Sequence, residues 1–145
     1  MARSEADLAD ILATVPLLAD LSTSNLRKVA RLCKPASFKA GFVILQEGEG
    51  GASAMLIIID GTAKVVRKGK RVATVGPGDF VGEMSLIDGY PRSASVVAES
   101  AVEGVMISST AFRRLVADVP AVAWRLLQTQ TQRIRAFDTR LQALG

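Results

Sequence analysis

Apolar and polar positions change rhythm twice along this 145-residue chain, and the changes divide it into three parts. Before about residue 36 the rhythm is helical. Leu8, Ile11 and Leu12 recur at three- and four-residue spacing behind Ser4, a residue type suited to capping a helix N-terminus. Val15, Pro16, Leu17 and Leu18 break that helix. Ser22 or Ser24 then caps a second one carrying Leu26, Val29, Ala30 and Cys33, which Pro35 ends. From 37 to 108 short apolar stretches alternate with turn chemistry, predicting strands near 37–39, 43–46, 54–59, 63–67, 70–75, 80–81, 95–98 and 102–108. Met55, Ile57 and Ile59 set against Leu56 and Ile58 make the third strand apolar on both faces, so it is central. Asp60-Gly61 and Lys68-Gly69 suit tight hairpins. The pattern predicts a mainly β fold with flanking α-helices, its strands closing as an eight-stranded jelly-roll β-barrel.

Helical rhythm returns after Ser108. A short helix over 109–117 carries Phe112, Leu115 and Val116, and Pro120 opens a longer one reaching about Leu144. Leu127, Ile134 and Leu141 repeat every seven residues, with Gln130, Phe137 and Leu144 between them. That is a short a/d seam with a polar residue, Gln130, at one d position. The stripe fits either a homodimer through residues 121–144 or packing of the helix onto its own strands.

A hydrophobic share of 49% in a chain of this length predicts one domain with its own core, comprising N-terminal helices (1–36), a strand-rich middle (37–108) and C-terminal helices (109–145). The longest apolar run, 54–59, is strand-sized, so no membrane span is expected. Residues 1–10 lack the basic start and apolar middle of a secretion signal, which makes the cytoplasm the expected location. Cys33 is the only cysteine and histidine is absent, so internal disulfides are excluded, zinc has almost no ligands, and the usual imidazole base of hydrolases is missing. An enzyme is not expected, nor a resident cofactor. The net charge of +4 and pI near 9.6 raise nucleic acid as a partner, so the distribution of the charge matters. Arg67, Lys68, Lys70 and Arg71 surround one hairpin tip, and Arg125, Arg133, Arg135 and Arg140 punctuate the last helix. Neither cluster is interleaved with aromatics for base stacking, so no direct nucleic-acid binding is expected.

The densest chemistry lies between Phe80 and Val96, F-V-G-E-M-S-L-I-D-G-Y-P-R-S-A-S-V. Gly82 lets backbone approach a ligand closely. Glu83 to Ile87 can form one helical turn, whose unpartnered N–H groups favour an anion. Asp88, Gly89, Tyr90 and Pro91 end that turn. Arg92 then offers a planar fork for two phosphate oxygens, with the Ser93 hydroxyl and amide beside it. Glu83 is tolerable near a phosphate only if it accepts a proton from a sugar hydroxyl, and a phosphate with a neighbouring hydroxyl is a nucleotide. The competing reading is that Glu83 and Arg92 pair with each other across a surface turn.

This segment resembles the phosphate-binding cassette (80–96) of cyclic nucleotide-binding domains, the module of bacterial cAMP receptor proteins, regulatory subunits of cAMP-dependent protein kinase and cyclic nucleotide-gated channels. The resemblance rests on Phe80, Gly82, Glu83, Met84, Ser85, Leu86, Pro91, Arg92, Ser93, Ala94 and Val96, while Phe42 departs from an acid that often follows the glycine matching Gly41. It implies the β-roll fold and a ligand, cAMP or cGMP, held by Val81, Gly82, Glu83, Met84, Ser85, Arg92, Ser93 and Ala94. By resemblance Glu83 holds the ribose 2′-hydroxyl, Arg92 the cyclic phosphate and the amides near Gly82 and Ala94 complete the grip. Leu86 relays binding to the C-terminal helix, which closes over the base with Phe137 and Asp138 as candidate lid contacts. A receptor-type regulator is expected to continue past that helix into a DNA-binding domain, and a kinase subunit into a second nucleotide domain. A chain ending at Gly145 would instead offer its helices to an unknown protein effector. A degenerate scaffold binding no nucleotide is the alternative.

Overall fold

The computed structural model describes residues 4–51 and 53–144; the side chains of 141–144, among them the seam residues Leu141 and Leu144, lie outside the description. Helix α1 (Glu5–Leu12) starts where the Ser4 hydroxyl accepts the Asp7 N–H, and α2 (Thr23–Leu32) where the Ser22 hydroxyl accepts the Asn25 N–H. Each cap satisfies a donor that a helix start leaves unpaired. A single 3-10 turn, Pro16–Leu18, joins them. Eight strands follow: β1 (Cys33–Phe38), β2 (Val43–Leu45), β3 (Ala54–Asp60), β4 (Ala63–Arg67), β5 (Lys70–Val75), β6 (Phe80–Val81), β7 (Ser95–Ala98) and β8 (Val102–Ser108). A short helix, α3 (Glu83–Asp88), interrupts them, and α4 (Ser109–Asp118) and α5 (Pro120–Leu144) end the chain.

The strands form two antiparallel four-stranded sheets, ordered β1-β8-β3-β6 and β2-β7-β4-β5. They face each other as a jelly roll without closing into one continuous hydrogen-bonded barrel. Strand β3 shows why the sheets stack as they do. Its Met55 and Ile57 side chains pack with the helices, whereas Leu56 and Ile58 enter a second core shared with Leu45, Ala63, Val96 and Ala98 of the other sheet. Alternation along one strand thus feeds two cores, and the order of layers is helices, first sheet, second sheet.

Sequence and structure part at the end of α2. The pattern placed Cys33 in the helix and started the first strand at residue 37; instead the helix stops at Leu32 and Pro35 lies inside β1, opposite Val105. Proline is tolerated there because β1 is an edge strand and needs no ladder donor on its open side. Cys33 is buried all the same, and burial pushes its thiol up to about 12, so it stays protonated and unreactive. Phe42, the departure noted above, is exposed and stacks on Phe38 with ring centroids 5.6 Å apart.

Helix α5 docks through Val122 and Leu126, which join Phe112, Leu115 and Val119 in the helical core. Leu127, Ile134 and Phe137 of the seam are instead exposed, as is Trp124. Among the described residues the stripe is therefore not spent on the protein's own strands. Among the described residues, Arg31, Arg71, Arg114, Arg125 and Arg133 are paired with carboxylates, which disperses the basic excess. No helix among the described residues is long and apolar enough to cross a membrane.

Gly104 lies opposite Ile58 in the β3–β8 ladder, beside a register shift, and an added Cβ there would lie 2.4 Å from the Ile57 carbonyl oxygen and 2.8 Å from Leu56 Cδ1. Gly104→Ala is expected to lower unfolding free energy by about 1–3 kcal/mol in denaturant titration, as overpacking does. An unchanged midpoint would mean that the sheet yields there.

Candidate functional site

Gly82 closes β6 and opens α3 with φ at +88°, a conformation that side chains with a Cβ rarely adopt. A second constraint acts on the same residue. A Cβ there would lie 2.7 Å from Arg92 Nη1 and 2.8 Å from Leu45 Cδ1. The close neighbour that demands glycine is thus Arg92 itself. Helix α3 ends at Gly89, also left-handed, whose N–H returns to the Ser85 carbonyl, and the Asp88 carboxylate accepts the Tyr90 N–H to form the turn before Pro91.

The backbone of Arg92 is clamped by the β2–β3 loop, donating its N–H to Glu49 O at 2.8 Å and accepting from Gly48 N at 2.8 Å. The side chain, only 6% exposed, reaches inward. Nη1 donates to the Gly82 carbonyl at 2.7 Å and Nη2 to the Ala54 carbonyl at 2.5 Å. Among the described residues these two hydrogen bonds engage two of the five guanidinium donors. Burial pulls the guanidinium below its ordinary value, while the Glu49 and then the Glu83 carboxylate oppose the shift.

Glu83 is 2% exposed, and its partners come from α5. Gln130 Nε2 and Arg133 Nη1 both donate to its Oε1, at 2.9 Å and 3.1 Å. The Arg133 guanidinium also lies 5.0 Å above the Phe80 ring. No ion pair joins Glu83 to Arg92 among the described residues, and neither lies on a surface turn, so the competing reading of the pair does not hold.

These groups border one cavity of about 300 Å³, at the lower end of the range of small-molecule sites. Val81, Gly82, Glu83, Met84, Ser85, Arg92, Ser93 and Ala94 all line it, as does Arg133. Leu45, Val65, Ala73, Val75 and Val96 supply apolar walls from the second sheet. Phe137 and Asp138 are exposed and stand outside the lining. Sequence reasoning passed over Gln130, which it assigned to the seam, and the walls from β2, β4 and β5. The signal for Gln130 was present: an amide interrupting an apolar heptad position has a polar partner to find.

The family model of the cyclic nucleotide-binding domain matches residues 35–119. A CRP-like cAMP-activated global transcriptional regulator from Mycobacterium tuberculosis is 29% identical over 93% of this chain, which spans 62% of that regulator's length. The crystal structure of the Thermus thermophilus catabolite activator protein superposes with a TM-score of 0.82 at 28% identity, covering 89% of this chain and 62% of that one. A cyclic nucleotide-binding domain from Methylobacillus flagellatus is 32% identical, with a TM-score of 0.79 over 95% of this chain and 82% of its own. Sheet order, cassette and these likenesses agree, and the chain belongs to the cyclic nucleotide-binding domain family.

Proposed function

We propose that this chain is a non-catalytic cytoplasmic sensor that binds a 3′,5′-cyclic purine nucleotide, cAMP or cGMP, and signals through α5. One observation carries this reading: a single cavity holds a buried arginine and a buried carboxylate tied to the C-terminal helix. The charges favour a cyclic phosphate. Glu83, Arg92 and Arg133 are the charged residues of the lining, and Glu83 pairs with Arg133. Arg92 is then the surplus, one positive charge for the single negative charge of a cyclic diester. An open phosphate monoester carries roughly −1.5 to −2 and is less well matched. Glu83 would accept the ribose 2′-hydroxyl, and the amides of 82–85 and 93–94 would complete the phosphate grip. The apolar walls suit a purine face, and the name of the mycobacterial relative favours cAMP.

For signalling, Leu86 of α3 is buried in one cluster with Phe112, Leu115, Val122 and Leu126, so a shift of the cassette is felt by α4 and α5. A ligand that favours one placement of α5 would shift its equilibrium between placements. The exposed Leu127, Ile134 and Phe137 offer a face to a second copy of the chain or to an effector. Phe137 and Asp138 would reach the base only after α5 moves.

Three outcomes test this. cAMP or cGMP at about 100 times its dissociation constant should stabilise the fold by roughly 2.7 kcal/mol in thermal melts. No shift with either nucleotide would leave the scaffold reading. Arg92→Ala should cost about 2–5 kcal/mol of binding free energy, at least ~30-fold in affinity, by calorimetry. Because the same change strands the carbonyls of Gly82 and Ala54, circular dichroism should first establish that the variant folds; unchanged affinity in a folded variant removes Arg92 from the site. Trp124, the one tryptophan, stands exposed on α5, and its fluorescence should change on saturation with ligand. Binding without that change would exclude α5 as the output.

A further inference from the structure

Glu83 is the point where the cassette and α5 meet, and the manner of their meeting is asymmetric. The carboxylate is 3% exposed, so its charge requires partners. Both of those described come from α5 and converge on a single oxygen, Oε1. No hydrogen bond falls on Oε2 among the described residues. Nor is any buried side-chain nitrogen or oxygen left without a partner there, so Oε2 opens onto the cavity that Glu83 lines.

The terminal torsion of a glutamate is soft and nearly two-fold, so a carboxylate held by one donor can rotate and trade its oxygens. Two donors arriving on one oxygen from different directions remove that freedom. Arg133 alone is a poor anchor, since its side chain is 48% exposed and long. Gln130 sits three residues earlier, within 3.5 Å of Arg133 through its own Oε1, and presents its Nε2 to the same Glu83 oxygen. Its amide orientation is dictated by this neighbour, because the reverse would set oxygen against oxygen.

Resting on the reading of Glu83 as the acceptor of the ribose 2′-hydroxyl, we propose that Gln130 is a positioning residue that acts through Glu83. It holds Oε1 on α5 and so aims Oε2 at the hydroxyl. Preference for a ribose over a 2′-deoxyribose ligand is thereby set from the C-terminal helix, and the hydroxyl is sensed at the atom group that tethers that helix. The polar residue in the seam earns its place inward, toward the cavity.

Gln130→Met keeps chain length and removes the donor. The full chain and the variant are titrated calorimetrically with cAMP and with 2′-deoxyadenosine 3′,5′-cyclic monophosphate. The native chain should prefer cAMP on the order of 10- to 100-fold, as a hydrogen bond to a charged group implies. In Gln130→Met, cAMP should weaken about tenfold, or about 1.4 kcal/mol, while the deoxy ligand changes by less than about twofold. Retained deoxy binding also shows that the variant is folded. An equal loss on both ligands, or an unchanged preference, overturns the role of Gln130 while leaving the sensor intact. A native chain that binds both ligands equally, or neither, overturns the ribose reading of Glu83 and this inference with it.

Discussion

A positive charge is buried beneath the first turn of α3, and much of the surrounding backbone is shaped by the need to satisfy it. Arg92 is held by the carbonyls of Gly82 and Ala54, groups that a guanidinium can bridge because its donors form a rigid fork. That bridge links the end of β6 to the start of β3, strands that are also paired through Leu56–Val81 and Ile57–Phe80. It requires a residue without Cβ at position 82, in a left-handed conformation, and it requires the loop after β2 to clamp the arginine backbone from the other side. The charge is thus part of the architecture, and the same guanidinium lines the cavity.

Glu83 supplies the complementary constraint. A nearly buried carboxylate must find donors, and those described lie on α5, some fifty residues further along the chain. The helix is consequently tied to the cassette at a polar point as well as through the apolar cluster of Leu86, Val122 and Leu126. Two different forces therefore hold α5: burial of side chains near its start, and charge-assisted hydrogen bonds one to two turns later to a carboxylate that lines the cavity.

The layering explains how so short a chain accommodates this. Strand β3 serves the helical core with one face and the inter-sheet core with the other, so the cavity can open between the sheets at β2, β4 and β5 without hollowing the core beneath the helices. The chain spans about 62% of the length of the mycobacterial regulator that it matches.

Local chemistry alone determined a good deal. Ser4, Ser22 and the helical spacing behind them identified α1 and α2; the alternation within 54–59 identified β3 as a central strand; and Lys68-Gly69 identified the β4–β5 hairpin, whereas Asp60-Gly61, expected to make another, instead carries the chain from one sheet to the other. These features rest on hydrogen bonds and sterics between near neighbours, which a sequence displays directly. Pro35 misled because its tolerance within β1 depends on that strand lying at a sheet edge, a matter of assembly. The partner of Glu83, the carbonyls that hold Arg92 and the apolar walls of the cavity were decided only by the tertiary structure. Each joins residues about 10 to 50 positions apart, and nothing in the spacing of Gln130 within a heptad says that its amide turns inward to a buried acid rather than outward to another helix.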